Sequence, residues 1–466
     1  MKPDSEHPPT DERPAASGGV LLRREFLIGA AVAAGPLVFG GRAAAHRGVV
    51  AGNGSWTQAA HDLSATRVVS RGPGDLSMRW RRPIAGGLTG PPLIVDDRVV
   101  AASLGGEVAA FDLADGRERW RRDLGPARYG SGDAAVTLGF FGGCATDGHR
   151  LVVASDRVRC LRLRDGALLW EGDPLAPEGA DDYFWGAPVL AHGLVIAGSG
   201  AATEATATRG RISAYRLSDG RLRWSTPLVP EGANGGGVLS PVSVDIARGT
   251  LFAGTGAPYV TEPGPNPGTC SVVELALRDG RLLWSDQIHP ADALGLDVNS
   301  APLLTPRTIT ATAKDGVWAW DRRTRSRIWQ RTLTPATPAE GGPAGPVNGP
   351  EGGPLAGDLR GLFALSNDGD AGHSVAASLD PRTGALRWQT PLGGLTFAAP
   401  ALAGDLLCAT TASGDLEVLR GYDGRPVARV ALGVPSAGAV AAGRGRLVFG
   451  VGAEPFLPGG EVICVG

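Results

Sequence analysis

Asp297 and Lys314 are two residues whose types could carry acid–base chemistry in this sequence of 466 residues. Asp297 begins the stretch DVNSAP at residues 297–302. A carboxylate aimed at a hydroxyl group can accept its proton, which is the work of a general base. An Asp in front of a strand also commonly caps a turn. The residues alone leave both roles open for Asp297.

Lys314 stands out because lysine is almost missing from the chain. Two of the 45 basic residues are lysines, Lys2 and Lys314, and the other 43 are arginines. An ammonium group held in a site can donate hydrogen bonds to oxygen atoms that gain negative charge during a reaction. The alternative is a solvated loop lysine, because Lys314 directly precedes Asp315 and Gly316.

The sequence lacks the signatures of several other chemistries. The six histidines after residue 45 show no zinc-site spacing, and the Gly-rich run at residues 235–237 lacks the Gly-Lys-Ser/Thr ending of a phosphate loop. Neither a Gly-x-Ser-x-Gly nucleophile motif nor a Cys-x-x-Cys-His haem motif occurs. The net charge of −2 gives no reason to expect nucleic acid or an anionic membrane as a partner.

A repeated motif indicates the elements that must position these residues. The clearest copy, YRLSDGRLRW at residues 215–224, alternates apolar and polar residues around an Asp-Gly turn and ends in Trp224. Gly suits such a turn because it adopts a positive φ at little cost. Further copies end at Trp120, Trp170, Trp284, Trp329 and Trp388. In the copy that ends at Trp329, Arg325 replaces the Gly. A degenerate copy at residues 423–424 has lost its Trp.

The spacing of these tryptophans predicts the fold. The steps from Trp120 to Trp388 are 50, 54, 60, 45 and 59 residues, which is typical of one four-stranded propeller blade per repeat. Two Gly- and Pro-rich stretches, residues 258–268 and 334–354, are inserts and candidate binding loops. The strand around Trp80 has no blade before it. We therefore predict an all-β, eight-bladed β-propeller of four-stranded antiparallel blades, closed by pairing the N-terminal strand with the C-terminal blade.

The N-terminus has the pattern of a twin-arginine export signal. A polar stretch leads to Arg23 and Arg24, then to an apolar run over residues 28–39 and small residues at 43–45. The run is shorter than the roughly 18 apolar residues of a membrane span. We predict a signal peptide at residues 1–45, an N-terminal extension at 46–75 and the propeller at 76–466. The exported protein would be extracellular, on the cell surface or periplasmic, without a membrane span, and monomeric.

The five cysteines are too few and too scattered for a disulfide framework. Cys144 and Cys160 fall in one predicted blade and could pair outside the cell. The alternative is that they remain lone buried thiols.

The repeat resembles the blade of the PQQ-type propellers, the family of quinoprotein dehydrogenases and their relatives. The resemblance runs from about residue 52 to the end of the sequence. Residues 56–67, 297–302 and 313–322 are most similar to the polyvinyl-alcohol dehydrogenase branch. Because non-enzymatic propellers share the blade motif, the motif indicates the family more strongly than an activity.

The resemblance implies specific roles for four residues. In such enzymes a quinone lies over the central channel with a calcium ion, and an aspartate takes the proton of the alcohol as hydride leaves to the quinone. The resemblance implies that Asp297 is this base and a calcium ligand, and that Lys314 and Asn299 contact the quinone. It further implies that Glu204 gives calcium a carboxylate, that the substrate is a small-molecule or polymeric alcohol, and that an external acceptor collects the electrons.

Two positions depart from the family pattern. Ala257 follows Thr255 and Gly256 where members commonly carry an Asn that gives calcium an oxygen, and Ala has no such atom. Leu239 occupies the place of a Trp that forms a floor under the quinone, and a flat ring stacks better on an aromatic side chain. The pair of adjacent cysteines of some members is also missing. The alternative is therefore a catalytically degenerate propeller that binds or scaffolds a protein partner outside the cytoplasm.

Overall fold

Short strands and Gly-containing turns alternate along the whole described chain, and nearly every strand pairs with its neighbour in sequence. The structure, a computed structural model, describes residues 54–130, 135–175, 181–203, 208–259, 265–290, 295–335, 355–454 and 457–466. The predicted signal peptide at residues 1–45 lies outside the described residues. Within the described part no helix has the length and apolar composition needed to cross a membrane.

The strands form eight antiparallel blades of four strands each, which confirms the predicted fold. Blade 1 comprises Leu93–Val95, Arg98–Ala102, Glu107–Asp112 and Glu118–Asp123, and blade 2 comprises Cys144–Thr146, Arg150–Ala154, Val158–Arg162 and Leu168–Glu171. Blade 3 comprises Val189–Ala191, Leu194–Ala201, Arg211–Arg216 and Leu222–Pro227, and blade 4 comprises Ser243–Asp245, Thr250–Gly254, Ser271–Ala276 and Leu282–Gln287.

Blade 5 comprises Leu303–Leu304, Thr308–Ala313, Gly316–Asp321 and Arg327–Arg331, and blade 6 comprises Leu355–Gly357, Leu362–Asp368, His373–Leu379 and Leu386–Pro391. Blade 7 comprises Ala401–Ala403, Leu406–Thr411, Asp415–Arg420 and Pro426–Ala431. Blade 8 comprises Ala441–Gly443, Arg446–Ala453, Leu457–Val465 and, as its outer strand, Met78–Pro83. This last pairing is the predicted closure. Four short strands are added to the blades or lie between them: Val68–Val69, Asp182–Tyr183, Ala127–Tyr129 and Val136–Leu138.

The order of strands gives the propeller two distinct faces. The first strands lie at the centre, because those of neighbouring blades contact each other, including the first strands of blades 8 and 1. We call the upper face the one that holds the connections into the first strands and the turns between second and third strands. The lower face holds the turns between first and second strands and the Asp-Gly turns. Residues from different blades can therefore meet at one end of the central channel.

In the Gly copies of the motif, the turn packs against the Trp of the blade before it. The turn glycine has a positive φ in every Gly copy, for example +72° at Gly220, and Arg325 adopts +64° at the equivalent position. Trp170 of blade 2 lies against the Gly220 turn of blade 3, and its Nε1 donates to Leu217 O at 3.1 Å. The repeated Gly and Trp are therefore two halves of one contact between blades. Arg325 fits the position because its side chain turns away to pair with Glu274, at 2.7 Å from each carboxylate oxygen.

We expect Gly220→Ala to destabilise the fold more than Gly193→Ala. Both glycines have a φ near +73°, at +72° and +74°, so both substitutions carry the left-handed backbone cost of about 1–2 kcal/mol. A Cβ on Gly220 would lie 2.5 Å from Cε3 of Trp170, whereas nothing lies within 4 Å of a Cβ on Gly193. The clash should add about 1–3 kcal/mol in Gly220→Ala. Equal unfolding midpoints of the two variants in denaturant would contradict the docking role of the turn.

Residues 54–69, which we call the hub segment, close the lower end of the channel. Trp56 exchanges backbone hydrogen bonds with Ile94 of blade 1, and later residues reach the first strands of successive blades. The backbone oxygens of the segment accept from Thr146, Val244, Leu304, Gly357 and Leu402, in blades 2, 4, 5, 6 and 7. Gln58 Oε1 accepts from Leu190 N of blade 3 at 2.8 Å, and Gly54 packs closely on blade 8. One segment thus contacts all eight blades.

All five cysteines are buried, and none of them forms a disulfide. The interpretation of Cys144 and Cys160 as lone buried thiols is therefore confirmed over the disulfide alternative.

Candidate functional site

The structure brings Asp297 and Lys314 together on the upper face of blade 5. Asp297 lies in the connection that enters the first strand, and Lys314 lies in the turn between the second and third strands. The Lys314 Nζ is 3.2 Å from the Asp297 Oδ2. The side chains are 9% and 19% exposed, so the ion pair is largely shielded while the carboxylate keeps some access to solvent. Lys314 is thus buried in an ion pair, so its interpretation as a solvated loop lysine was wrong.

The Asp297 segment is held between two blades. Val298 N donates to Thr255 O of blade 4 at 3.1 Å, and Ala257 N of the same blade donates to Asp297 Oδ1 at 2.6 Å. On the blade 5 side, Thr312 N donates to Ser300 Oγ at 2.7 Å. These bonds fix the orientation of the carboxylate. Asp297 therefore binds the backbone of the neighbouring blade through one oxygen and faces Lys314 through the other.

Small residues and one tyrosine shape the surroundings of this carboxylate. A Cβ on Gly256 would lie 2.9 Å from Asp297 Oδ1 and 3.2 Å from Gly237 O, so any side chain at this position would crowd the carboxylate. The Tyr259 hydroxyl accepts from Ala201 N at 3.0 Å and lies next to Gly200 and Gly237. The sequence indicated only the insert that contains Tyr259, at residues 258–268. It gave no sign that the tyrosine itself lies over blade 3.

The other predicted site residues have different surroundings. Asn299 is 2% exposed, and its Oδ1 has no hydrogen-bond partner among the described residues, so this buried oxygen is a free acceptor. Leu239 is half-buried and packs against an apolar cluster around Trp185, Tyr183 and Phe141. Glu204 lies outside the described residues, so its role as a calcium ligand stays a prediction.

A second pair of ionisable residues lies on the other side of the Lys314 turn. His289 Nε2 is 3.3 Å from Asp315 Oδ1, and Trp318 Nε1 donates to the same oxygen at 3.1 Å. Burial alone would raise the pKa of Asp315, but the interactions with His289 and Trp318 outweigh burial and lower it. Asp315 is therefore an anion that anchors the turn through His289 and Trp318. The neighbouring Lys314 pairs with Asp297 instead. The sequence reasoning did not single out this pair.

The described residues do not form a calcium site. No group of three or more His, Cys, Asp and Glu side chains in this part of the chain could hold a metal ion. Calcium takes six to eight oxygen ligands, whereas one Asp297 oxygen is engaged by Ala257 N and the other by Lys314. Ala257 itself offers no side-chain oxygen. The reaction proposed below therefore includes no step that depends on calcium.

The same residues fit a quinone better than they fit a metal. The pair supplies an ammonium donor next to a carboxylate, and Asn299 supplies a buried amide. Leu239 offers an apolar side chain in place of an aromatic floor, and it packs against the cluster that contains the fully buried Trp185. Lys314, Asn299 and Asp297 are the described residues that would hold a quinone here.

Comparison with known proteins decides the family. The PQQ_2 family, described as outer membrane protein assembly factor BamB, matches residues 46–182 and 104–345. The chain belongs to the PQQ_2 family. The resemblance to PQQ-type propellers in the repeat is thereby confirmed. Relatives of this PQQ_2 chain include both dehydrogenases and assembly factors.

The individual relatives are distant. Quinohemoprotein alcohol dehydrogenase ADH-IIG of Pseudomonas putida is 24% identical over 47% of this chain and 35% of the relative. Outer membrane protein assembly factor BamB of Moranella endobia is 25% identical over 52% of this chain and 57% of the relative. A polyvinylalcohol dehydrogenase of a Pseudomonas species is 24% identical over 47% and 37%. The PQQ_2 chain thus spans about a third to somewhat over half of the length of these relatives.

Solved structures agree on the fold. The quinohemoprotein alcohol dehydrogenase ADHIIG from Pseudomonas putida superposes with a TM-score of 0.73 at 17% identity, over 89% of this chain and 80% of that one. BamB from Moraxella catarrhalis superposes with a TM-score of 0.55 at 15% identity, over 84% and 97%. At these identities the similarity establishes the propeller fold of the PQQ_2 chain.

Proposed function

We propose that this chain is an exported quinoprotein-type dehydrogenase that oxidises an alcohol or polyol with PQQ and passes the electrons to an external acceptor. The ion pair between Asp297 and Lys314 carries the proposal, because it joins a base and a cationic donor on one face of the channel. The names of the dehydrogenase relatives support the reaction class. Export by the twin-arginine route rests on the pattern around Arg23 and Arg24.

In the proposed reaction Asp297 accepts the proton of the substrate hydroxyl. Its Oδ1 is held by Ala257 N, so the oxygen that faces Lys314 is the one left to act as base. When bound, PQQ would supply the acceptor for the hydride of the alcohol carbon, which becomes a carbonyl. Lys314 donates to oxygen that gains charge and keeps Asp297 in place. The resemblance also implies calcium, but the described residues do not form its site, so no step of the proposed reaction depends on that ion.

We expect the protein to bind PQQ, and Lys314→Met to weaken that binding by at least about tenfold, since a charge-assisted hydrogen bond contributes roughly 1.5–3 kcal/mol. Met has a similar length and removes only the charge and the donor. Calorimetric titration with PQQ, with and without calcium, measures the affinity and its metal dependence. Arg360→Met, which removes an exposed cation paired with Asp358, is the control. A folded protein that binds no PQQ at its solubility limit would overturn the dehydrogenase proposal.

The second candidate is a catalytically degenerate propeller that binds a protein partner outside the cytoplasm. Ala257, Leu239 and the engagement of both Asp297 oxygens favour it, because they weaken the site for a metal-bound quinone. The chain also matches a family described as an outer membrane protein assembly factor, which favours this second candidate. Absence of PQQ binding in the titration would make this candidate the stronger of the two.

A further inference from the structure

Arg67 is a cation sealed inside the lower end of the channel. It belongs to the hub segment, and its backbone oxygen accepts from Leu402 N of blade 7 at 3.0 Å. The residue is 0% exposed. None of its three guanidinium nitrogens has a hydrogen-bond partner among the described residues. A guanidinium has five N–H donors, so this is an unusual concentration of unused donors.

A buried charge without a partner is strongly unfavourable, and folded proteins pair or hydrate such groups. Burial lowers the pKa of Arg67, but arginine starts from so high a value that it keeps its proton at neutral pH. The adjacent Thr66 hydroxyl is also fully buried without a partner in the described chain. The lower end of the channel therefore holds a positive charge and several free donors.

The ionisable neighbours on the hub segment do not balance this charge. No ion pair joins Arg67 to an acid of the described residues. Asp62 is the nearest acid in sequence, and burial raises the pKa of its carboxyl group against the opposing effect of hydrogen bonds from the backbone of Ser64, Ala65 and Thr66. Burial, and to a smaller extent the charge of Arg67, lowers the pKa of His61 to about 4 against the effect of its bond to Ser55 O. His61 is therefore neutral at pH 7.

We propose that the Arg67 guanidinium binds a small inorganic anion, chloride in ordinary salt solution, inside the closed end of the channel. The anion must be small because the hub segment seals this end and Arg67 has no exposed surface. Bound there, the anion neutralises the guanidinium and accepts hydrogen bonds from its unused N–H groups. The site lies at the opposite end of the channel from Asp297 and Lys314, so it is independent of the proposed reaction. Its role is to fix the hub segment.

The direct test is a crystal of the full chain grown in bromide, which replaces chloride and gives an anomalous signal. We expect a bromide peak beside the Arg67 guanidinium. A map with water density and no anomalous peak at this position would overturn the proposal. This result does not depend on any variant or on PQQ binding.

Thermal unfolding gives the matching solution test. At constant ionic strength, replacing gluconate with chloride should raise the unfolding midpoint of the unaltered protein, because an ion that binds the folded state stabilises that state. Arg67→Met should abolish the chloride effect. Arg119→Met, which removes a guanidinium paired with Asp97 and Asp112, should retain it. Equal midpoints of the unaltered protein in the two salts would contradict the site.

Discussion

Asp297→Asn is expected to lower kcat/KM for alcohol oxidation by about 10²- to 10⁴-fold, the range that a positioned general base contributes. The amide keeps the shape of the side chain and can still accept from Ala257 N, as Asp297 Oδ1 does at 2.6 Å. It cannot take a proton from the substrate. Steady-state kinetics with PQQ and an artificial electron acceptor measure the loss.

The control for this variant is Asp358→Asn. Asp358 pairs with Arg360 at the surface of blade 6, so the same chemical change there should leave kcat/KM within about twofold. Both variants should show the circular dichroism of the unaltered protein. An Asp297→Asn enzyme with full activity would exclude Asp297 as the base and direct attention to the Tyr259 region of the same face.

Trp56→Ala is expected to lower the free energy of unfolding by about 3–5 kcal/mol, the usual cost of removing a fully buried aromatic side chain. Trp56 is 0% exposed, it exchanges two backbone hydrogen bonds with Ile94, and its ring lies 4.7 Å from that of His61. The loss should loosen the hub segment and, through it, several blades. Denaturant titration followed by tryptophan fluorescence measures the change.

Tyr422→Ala is the matched aromatic control, because Tyr422 is 68% exposed and its ring lies against the guanidinium of Arg420. Its cost should stay below about 1 kcal/mol. PQQ affinity per folded molecule should be unchanged in Trp56→Ala, since the hub lies at the lower end of the channel. A loss of stability no larger than that of Tyr422→Ala would show that the hub segment is not part of the cooperative core.

The fold could be predicted from the sequence because each blade repeats one local requirement. A turn that needs a positive φ and a Trp that docks on it recur in phase, and Arg325 adopts the turn conformation even without Gly. The closure by Met78–Pro83 followed from counting strands at both ends. Local reasoning could not show that residues 54–69 contact all eight blades, because most of those contacts are backbone hydrogen bonds, which leave no side-chain pattern in the sequence.

The candidate site was less predictable. Asp297 and Lys314 are 17 positions apart and on different turns of blade 5, and only the family resemblance connected them before the structure showed the 3.2 Å pair. Tyr259 and the pair of His289 and Asp315 come from loops whose paths are set by neighbouring blades. Their convergence is a tertiary property, which neither composition nor spacing encodes.

The closure of the ring also determines when the protein can finish folding. Met78–Pro83 is made early, yet it pairs with Leu457–Val465, and an ion pair between Arg81 and Glu461 ties the two strands. At about 5–20 residues per second, the ribosome needs roughly 20–80 s to deliver the partner strand. Throughout that time the Trp80 strand has an unpaired edge open to wrong partners. The last blade can therefore form only after Leu457–Val465 has been made, and the ring stays incomplete until these two strands meet.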